Sequence, residues 1–190
     1  MKAGTDAEGG GGMFVLVGYA SAHGSTRSIA ERIGARLAER GHRVEVADLG
    51  RVEHVDRFEA FVLGSAVHRQ AWLDAAVDFV DAHRRVLTDR PVWLFSVGMP
   101  AAMRRPWRWS AGRERAVASE RLLNAIRPVD HRWFGGVLLR EHTSWTGDLV
   151  VRALGARYGD HRDWARIDEW ADEVGRRLAA EALSGHRRRI

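Results

Sequence analysis

The chain has no cysteine. That excludes a disulfide framework, thiol catalysis and iron–sulfur ligation. No apolar run approaches the roughly 20 residues that a membrane-spanning helix needs. The nine histidines show no His-Glu-x-x-His or comparable spacing, so no metal site is expected. There is no Gly-x-x-x-x-Gly-Lys-Ser/Thr phosphate loop and no Gly-x-Gly-x-x-Gly dinucleotide turn. Residues 1–12 lack the apolar centre of a secretory signal. They end in four glycines and are expected to form a disordered tail. Met13 stands just ahead of the first strand and is an alternative start.

What is present suits one globular unit. A length of 190 residues with 45% hydrophobic content supports a single domain, expected over residues 13–184. The formal net charge is +5. Part of the excess lies in Arg104 and Arg105, and part in a basic tail over residues 185–190, which reads as solvated charge. A basic surface favours anionic partners. No nucleic-acid motif accompanies it, so nucleic acid is not an expected partner.

The chain is organised around one stretch. The apolar run Phe14-Val15-Leu16-Val17-Gly18-Tyr19-Ala20 stops abruptly at Ser21-Ala22-His23-Gly24-Ser25-Thr26. An amphipathic pattern begins at once, with Ile29, Ile33 and Leu37 at helical spacing. This is a strand, a tight turn and a helix start. First-turn N–H groups of a helix have no partner within it and carry the positive end of its dipole. Gly24 permits close approach or a positive φ, and Ser21, Ser25 and Thr26 add hydroxyl donors. Two readings stand side by side here. One is a phosphate cradle made of neutral donors. The other is an ordinary turn in which Ser25 or Thr26 caps the helix.

Further along, helix and strand patterns alternate. A first helix is expected over residues 25–40 and a strand over 43–47. A buried strand follows at 61–64, opening into residues 65–72, with a second helix at 73–87. Another buried strand at 92–96 ends in Val97, Gly98, Met99 and Pro100. An irregular stretch at 101–112 precedes a third helix at 113–126. A last strand is expected at 131–139, a short helix at 146–154 and a final helix at 167–183. The alternation predicts an α/β fold, a doubly wound five-stranded parallel sheet with helices on both faces. Ligands of such sheets bind beyond the carboxyl ends of the strands, at the topological switch point. The loops after strands one, three and four therefore converge, which predicts a small planar or phosphorylated ligand across them.

Three segments carry a resemblance. They are Ala20-Ser21-Ala22-His23-Gly24-Ser25-Thr26-Arg27-Ser28-Ile29-Ala30, then Val62-Leu63-Gly64-Ser65-Ala66-Val67-His68 leading to Phe79-Val80, then residues 159–171 from Gly159 to Ala171. In this order they resemble the flavodoxin-like family. The similarity is greatest to the bacterial quinone-dependent protoporphyrinogen IX dehydrogenase type, and it spans about residues 14–178.

The resemblance implies the strand order 2-1-3-4-5 and FMN as cofactor; a deazaflavin is the alternative. Ser21, His23, Gly24, Ser25 and Thr26 would surround the phosphate. Ser65, Ala66, Val67 and His68 would lie along the isoalloxazine ring, and Ser96, Val97 and Gly98 would complete its far edge. Trp72 and Met99 are candidates for stacking on the ring. His68 is the candidate proton-handling group, since histidine titrates near neutral pH; a surface or hydrogen-bonding histidine is the simpler account. The implied activity is an FMN-dependent oxidoreductase with a quinone and a porphyrinogen-like donor as partners. A soluble electron-carrying flavodoxin and a flavin-free interaction domain are the competing readings.

A cytoplasmic location is expected. Arg104, Arg105, Trp107, Arg108 and Trp109 form a candidate contact with the inner face of a membrane. A porphyrin clamp is a second reading of the same loop, and tryptophans that simply pack back on the sheet are the plainer one. Asp160, Arg162, Asp163 and Trp164 read as a cap and ion-pair cluster ahead of the final helix.

Overall fold

Successive residues of the apolar runs point to opposite sides of one sheet. Val15, Val17, Ala60, Val62, Trp93, Phe95 and Val97 face one core; Leu16, Ala20, Phe61, Leu63, Val92 and Leu94 face the other. A strand buried on both faces needs apolar residues at every position, which is why these runs do not alternate with polar ones. The computed structural model describes residues 12–68, 71–98, 126–139 and 158–187.

The parallel strands are β1 (Phe14–Ala20), β2 (Arg43–Asp48), β3 (Ala60–His68), β5 (Val92–Gly98) and β6 (Asp130–Gly135). They lie in the order β2-β1-β3-β5-β6, and every pairing among them is parallel. This is the expected doubly wound arrangement. A two-residue strand, β4 (Ala71–Trp72), is added antiparallel on the end of β3. Two more short strands, β7 (Val137–Leu138) and β8 (Gly159–Asp160), pair antiparallel in a separate small sheet.

Helices α1 (Ser25–Glu39) and α4 (Trp164–Arg187) cover the first face. Their buried stripes are Ile29, Ile33 and Leu37 on α1 and Ile167, Trp170, Val174 and Leu178 on α4. Their outer edges are laced by ion pairs: Arg32 grips Asp168 through two hydrogen bonds, and Arg36 and Arg40 share Asp172. Helix α2 (Asp74–Ala82), the short α3 (Arg84–Thr88) and the link carrying Leu49, Val55 and Phe58 cover the second face.

Several boundaries differ from the sequence expectation. The single helix expected over residues 73–87 is two, because His83 leaves helical geometry at φ −111° and ψ 17°. The stretch expected to open into a loop at Ser65 stays in strand to His68 and turns back through β4. The last strand is divided at Gly136. The final helix starts earlier and runs to Arg187, into the stretch expected to be a basic tail. The expected tail at 1–11, Met99, Pro100, the Arg104–Trp109 loop, most of the third helix and the helix at 146–154 lie outside the described residues. Among the described residues no helix is long and apolar enough to cross a membrane.

Candidate functional site

The carboxyl ends of β1, β3 and β5 lie side by side. Ala20 pairs in register with Ser65, Ser65 with Ser96, and Ala66 with Val97. Directly above this edge the chain turns from β1 into α1. The turn is closed by the Ser21 hydroxyl, which accepts from the Gly24 N–H at 2.9 Å. Gly24 sits at φ 87°, left-handed backbone that costs an L side chain about 1–2 kcal/mol. It opens α1 with no side-chain cap.

That missing cap sets aside the reading in which Ser25 or Thr26 caps the helix. Ser25 and Thr26 lie inside the helix, and neither caps it. Thr26 is fully buried, and its Oγ1 has no hydrogen-bond partner. A buried hydroxyl without a partner costs about 1–3 kcal/mol. Thr26 belongs to the first turn of α1, whose backbone N–H groups have no partner within the helix. The space beside the Gly24 Cα is open, with nothing within 4 Å of where a Cβ would stand. Hydroxyls and backbone amides are neutral donors, the chemistry that a phosphate ester accepts from.

The hydroxyls of the serines along the strand ends are engaged within the protein. Ser65 and Ser96 are fully buried. The Ser65 hydroxyl donates to the Ala66 carbonyl at 2.8 Å and accepts from the Leu73 N–H at 3.0 Å. Ser96 Oγ accepts from Trp72 Nε1 at 2.8 Å and lies 2.9 Å from His131 Nε2. Both hydroxyls thus fasten the β3–β4 hairpin down on the sheet. Trp72 is consumed in this fastening: it is buried, lies edge-on to His131, and is not a free face for stacking. Val97 is also buried, in the core under α1. Ser65, Ser96 and Val97 can therefore meet a ligand only through their backbone.

Of the other expected residues, Ser21, His23, Gly24 and Ser25 lie on the turn and at the helix start, half-buried or exposed. Ala66, Val67 and Gly98 are half-buried at the strand ends. His68 closes β3 opposite Ala71. The structure brings all of these to one edge of the sheet, in two groups: a hydroxyl-rich turn over α1 and a strand edge with its hairpin.

Three residues outside the expected set flank the turn. Gly136 packs so close to it that a Cβ there would lie 3.2 Å from Ser25 Oγ and 3.1 Å from Val97 Cγ1. Arg162 donates to Ser28 Oγ at 2.8 Å, and Ser28 in turn donates to the Ser25 carbonyl at 2.8 Å. Only tertiary packing joins these positions; the sequence signal was limited to Ser28 and Arg162 falling inside segments of family resemblance. The cap cluster ahead of α4 forms as expected. Asp163 Oδ1 accepts from the Arg166 N–H, and Asp160 holds Arg162 through Nε and Nη2. The Arg162 hydrogen bond, against an opposing push from burial, brings the Asp160 carboxyl down to about 2. Among the described residues no three metal-ligating side chains come together.

The chain matches the family model described as a flavodoxin domain over residues 16–163. A protoporphyrinogen IX dehydrogenase [quinone] of Escherichia coli strain K12 is 22% identical over 179 residues, covering 85% of this chain and 94% of that protein. Two solved structures share the fold. Rubredoxin oxygen:oxidoreductase from the anaerobe Desulfovibrio gigas superposes with a TM-score of 0.60 at 14% identity over 90% of this chain. This chain spans only 37% of that protein. Oxidised flavodoxin 1 from Bacillus cereus gives a TM-score of 0.53 at 16% identity, covering 88% of this chain and 97% of that one.

Proposed function

The chain belongs to the flavodoxin domain family, and on that premise we propose that it is an FMN-dependent oxidoreductase that passes electrons to a quinone. FMN is the cofactor of this family. It supplies an isoalloxazine ring that takes up an electron pair from a donor and returns it to an acceptor. The donor proposed is porphyrinogen-like, by similarity to the Escherichia coli dehydrogenase.

The observation that carries the reading is the partnerless, fully buried Thr26 hydroxyl beneath an uncapped helix start. Buried hydroxyls in folded proteins are mostly paired, so a partnerless one beside an uncapped helix start supports a ligand there. In this reading Thr26, Ser25 and the first-turn amides of α1 bind the phosphate. The hydroxyl of Ser21 keeps Gly24 in its left-handed turn. The backbone of residues 65–68 and 96–98 lines the ring, and the Ser65 and Ser96 clamps hold that edge rigid. Rigid flanks orient the ring and limit the water that reaches it. Net transfer removes an electron pair and protons from the porphyrinogen and delivers them to the quinone as quinol.

The test is a visible spectrum of the purified chain, an FMN titration, and an anaerobic assay of porphyrinogen oxidation with a soluble quinone. Flavin bands or saturable FMN binding with quinone-dependent turnover support the proposal. Flavin binding without turnover leaves an electron carrier. A colourless chain that ignores FMN defeats both.

A further inference from the structure

We propose that Arg162 is a positioning residue of the phosphate site, acting on the Thr26 amide through Ser28 and the Ser25 carbonyl. The inference rests on the phosphate reading of the α1 start. It assigns a part of that site to the lead-in of α4, where Arg162 lies 134 residues beyond Ser28 along the chain.

The directions of the hydrogen bonds are fixed by chemistry. A guanidinium has donors only, so Arg162 Nη1 donates to Ser28 Oγ at 2.8 Å. The Ser28 hydroxyl has one proton, and it goes to the Ser25 carbonyl at 2.8 Å. That carbonyl and the Thr26 N–H belong to one peptide group. Withdrawing electron density at the oxygen makes the N–H a stronger donor, because hydrogen bonds in a chain polarise one another. The chain begins at a cation and ends at a first-turn amide of α1, beside the partnerless Thr26 hydroxyl.

The cation is itself held in place. Asp160 takes Nε and Nη2, which leaves Nη1 aimed at Ser28. The guanidinium carbon lies 4.7 Å from the Trp164 ring centre. The same segment also reaches the neighbourhood of Ser25: the His161 N–H donates to the Gly136 carbonyl at 3.1 Å, and Gly136 lies close against the Ser25 side chain. An ordinary surface ion pair needs neither contact.

The test compares FMN with riboflavin, which lacks the phosphate. Dissociation constants are measured by flavin fluorescence for the full-length wild type, Ser28→Ala, Ser28→Thr, Arg162→Gln and the Ser28→Ala/Arg162→Gln double variant. Each single loss of a charge-assisted link is expected to raise the FMN constant about fivefold and leave riboflavin unchanged. The double variant is expected to match the worse single one, since both cut one chain. Ser28→Thr keeps the hydroxyl and should bind FMN as the wild type does. Ser28→Ala leaves the Arg162–Asp160 pair intact, so it carries the test if Arg162→Gln folds poorly. The proposal is overturned if Ser28→Ala binds FMN like the wild type, if riboflavin weakens equally, or if the two losses add. A wild type that holds riboflavin as tightly as FMN, or binds neither, instead defeats the phosphate reading on which the proposal stands.

Discussion

Ser65 and Ser96 face each other in register across β3 and β5, and their hydroxyls hold down the same hairpin. One accepts the Leu73 N–H and the other accepts the Trp72 indole N–H. Two small residues at neighbouring strand ends thus build one clamp. Its purpose is local order: β4 has only two residues, too few to stay paired on ladder bonds alone. The clamp stiffens the edge along which the flavin ring is proposed to lie.

Removing one hydroxyl tests this. Ser96→Ala strands the buried Trp72 Nε1, which costs about 1–3 kcal/mol. For a chain of this size each kcal/mol lowers the melting temperature by roughly 2–4 °C. Amide exchange should quicken at Trp72 and Leu73 and stay slow in β1. Uniform quickening across the sheet would mean that Ser96 supports the core generally and not the hairpin.

Gly64 makes a packing prediction. It lies beneath the Phe95 ring so closely that an added Cβ would overlap the ring atoms. Both residues are buried, and β3 and β5 pair them in register. Gly64→Ala is expected to destabilise by about 1–3 kcal/mol through overpacking. Phe95→Leu in the same chain should recover part of that loss, so the pair is non-additive in a denaturant titration. Simple additivity would show that the ring can move aside.

The sheet was legible because two-sided burial writes itself as unbroken apolar runs, and Phe14–Ala20 and Val92–Gly98 are such runs. The hydroxyl-rich turn after β1 was legible for the same local reason: its donors are consecutive in sequence. The Asp163 cap also lies next to the helix it starts. The clamp was not legible. Ser96 finds Trp72 at a separation of 24 residues and His131 at 35. No periodicity records such a pairing, so both serines read only as positions along the flavin edge. Strand β4 is too short to show alternation, and the break at His83 falls inside an uninterrupted helical pattern. Arg162 looked like a surface ion pair because its third contact, Ser28, is made only by the folded chain.

Acid should loosen the α4 lead-in before it unfolds the core. The Asp160 carboxyl is held at about 2, below its ordinary 3.8, chiefly by the Arg162 hydrogen bond. A depressed carboxylate stabilises the fold fully above its unfolded pKa and loses that stabilisation as pH falls through the folded one. The loss therefore runs from about pH 4 down to about pH 2. Asp160 is half-exposed, so solvent screening keeps the effect small. The melting temperature of Asp160→Asn should already be lowered at neutral pH and should fall less than that of the wild type across this window. Parallel curves would show that the pair contributes nothing to stability.

Thr26 should trade stability against affinity. Its Oγ1 is buried and has no partner, so the flavin-free fold carries an unsatisfied hydroxyl. Valine has the same shape and branching without that oxygen, and its helix propensity is close to that of threonine. Thr26→Val is therefore expected to raise the melting temperature of the flavin-free chain, recovering part of a penalty of about 1–3 kcal/mol. The same change removes a hydrogen bond to an anionic phosphate, worth about 1.5–3 kcal/mol. The FMN dissociation constant should then rise by roughly tenfold to a hundredfold, with riboflavin unaffected. The opposed signs separate a binding role from a packing one. If Thr26→Val instead melts earlier and binds FMN normally, the hydroxyl serves the fold alone and the phosphate cradle must be sought elsewhere along the strand ends.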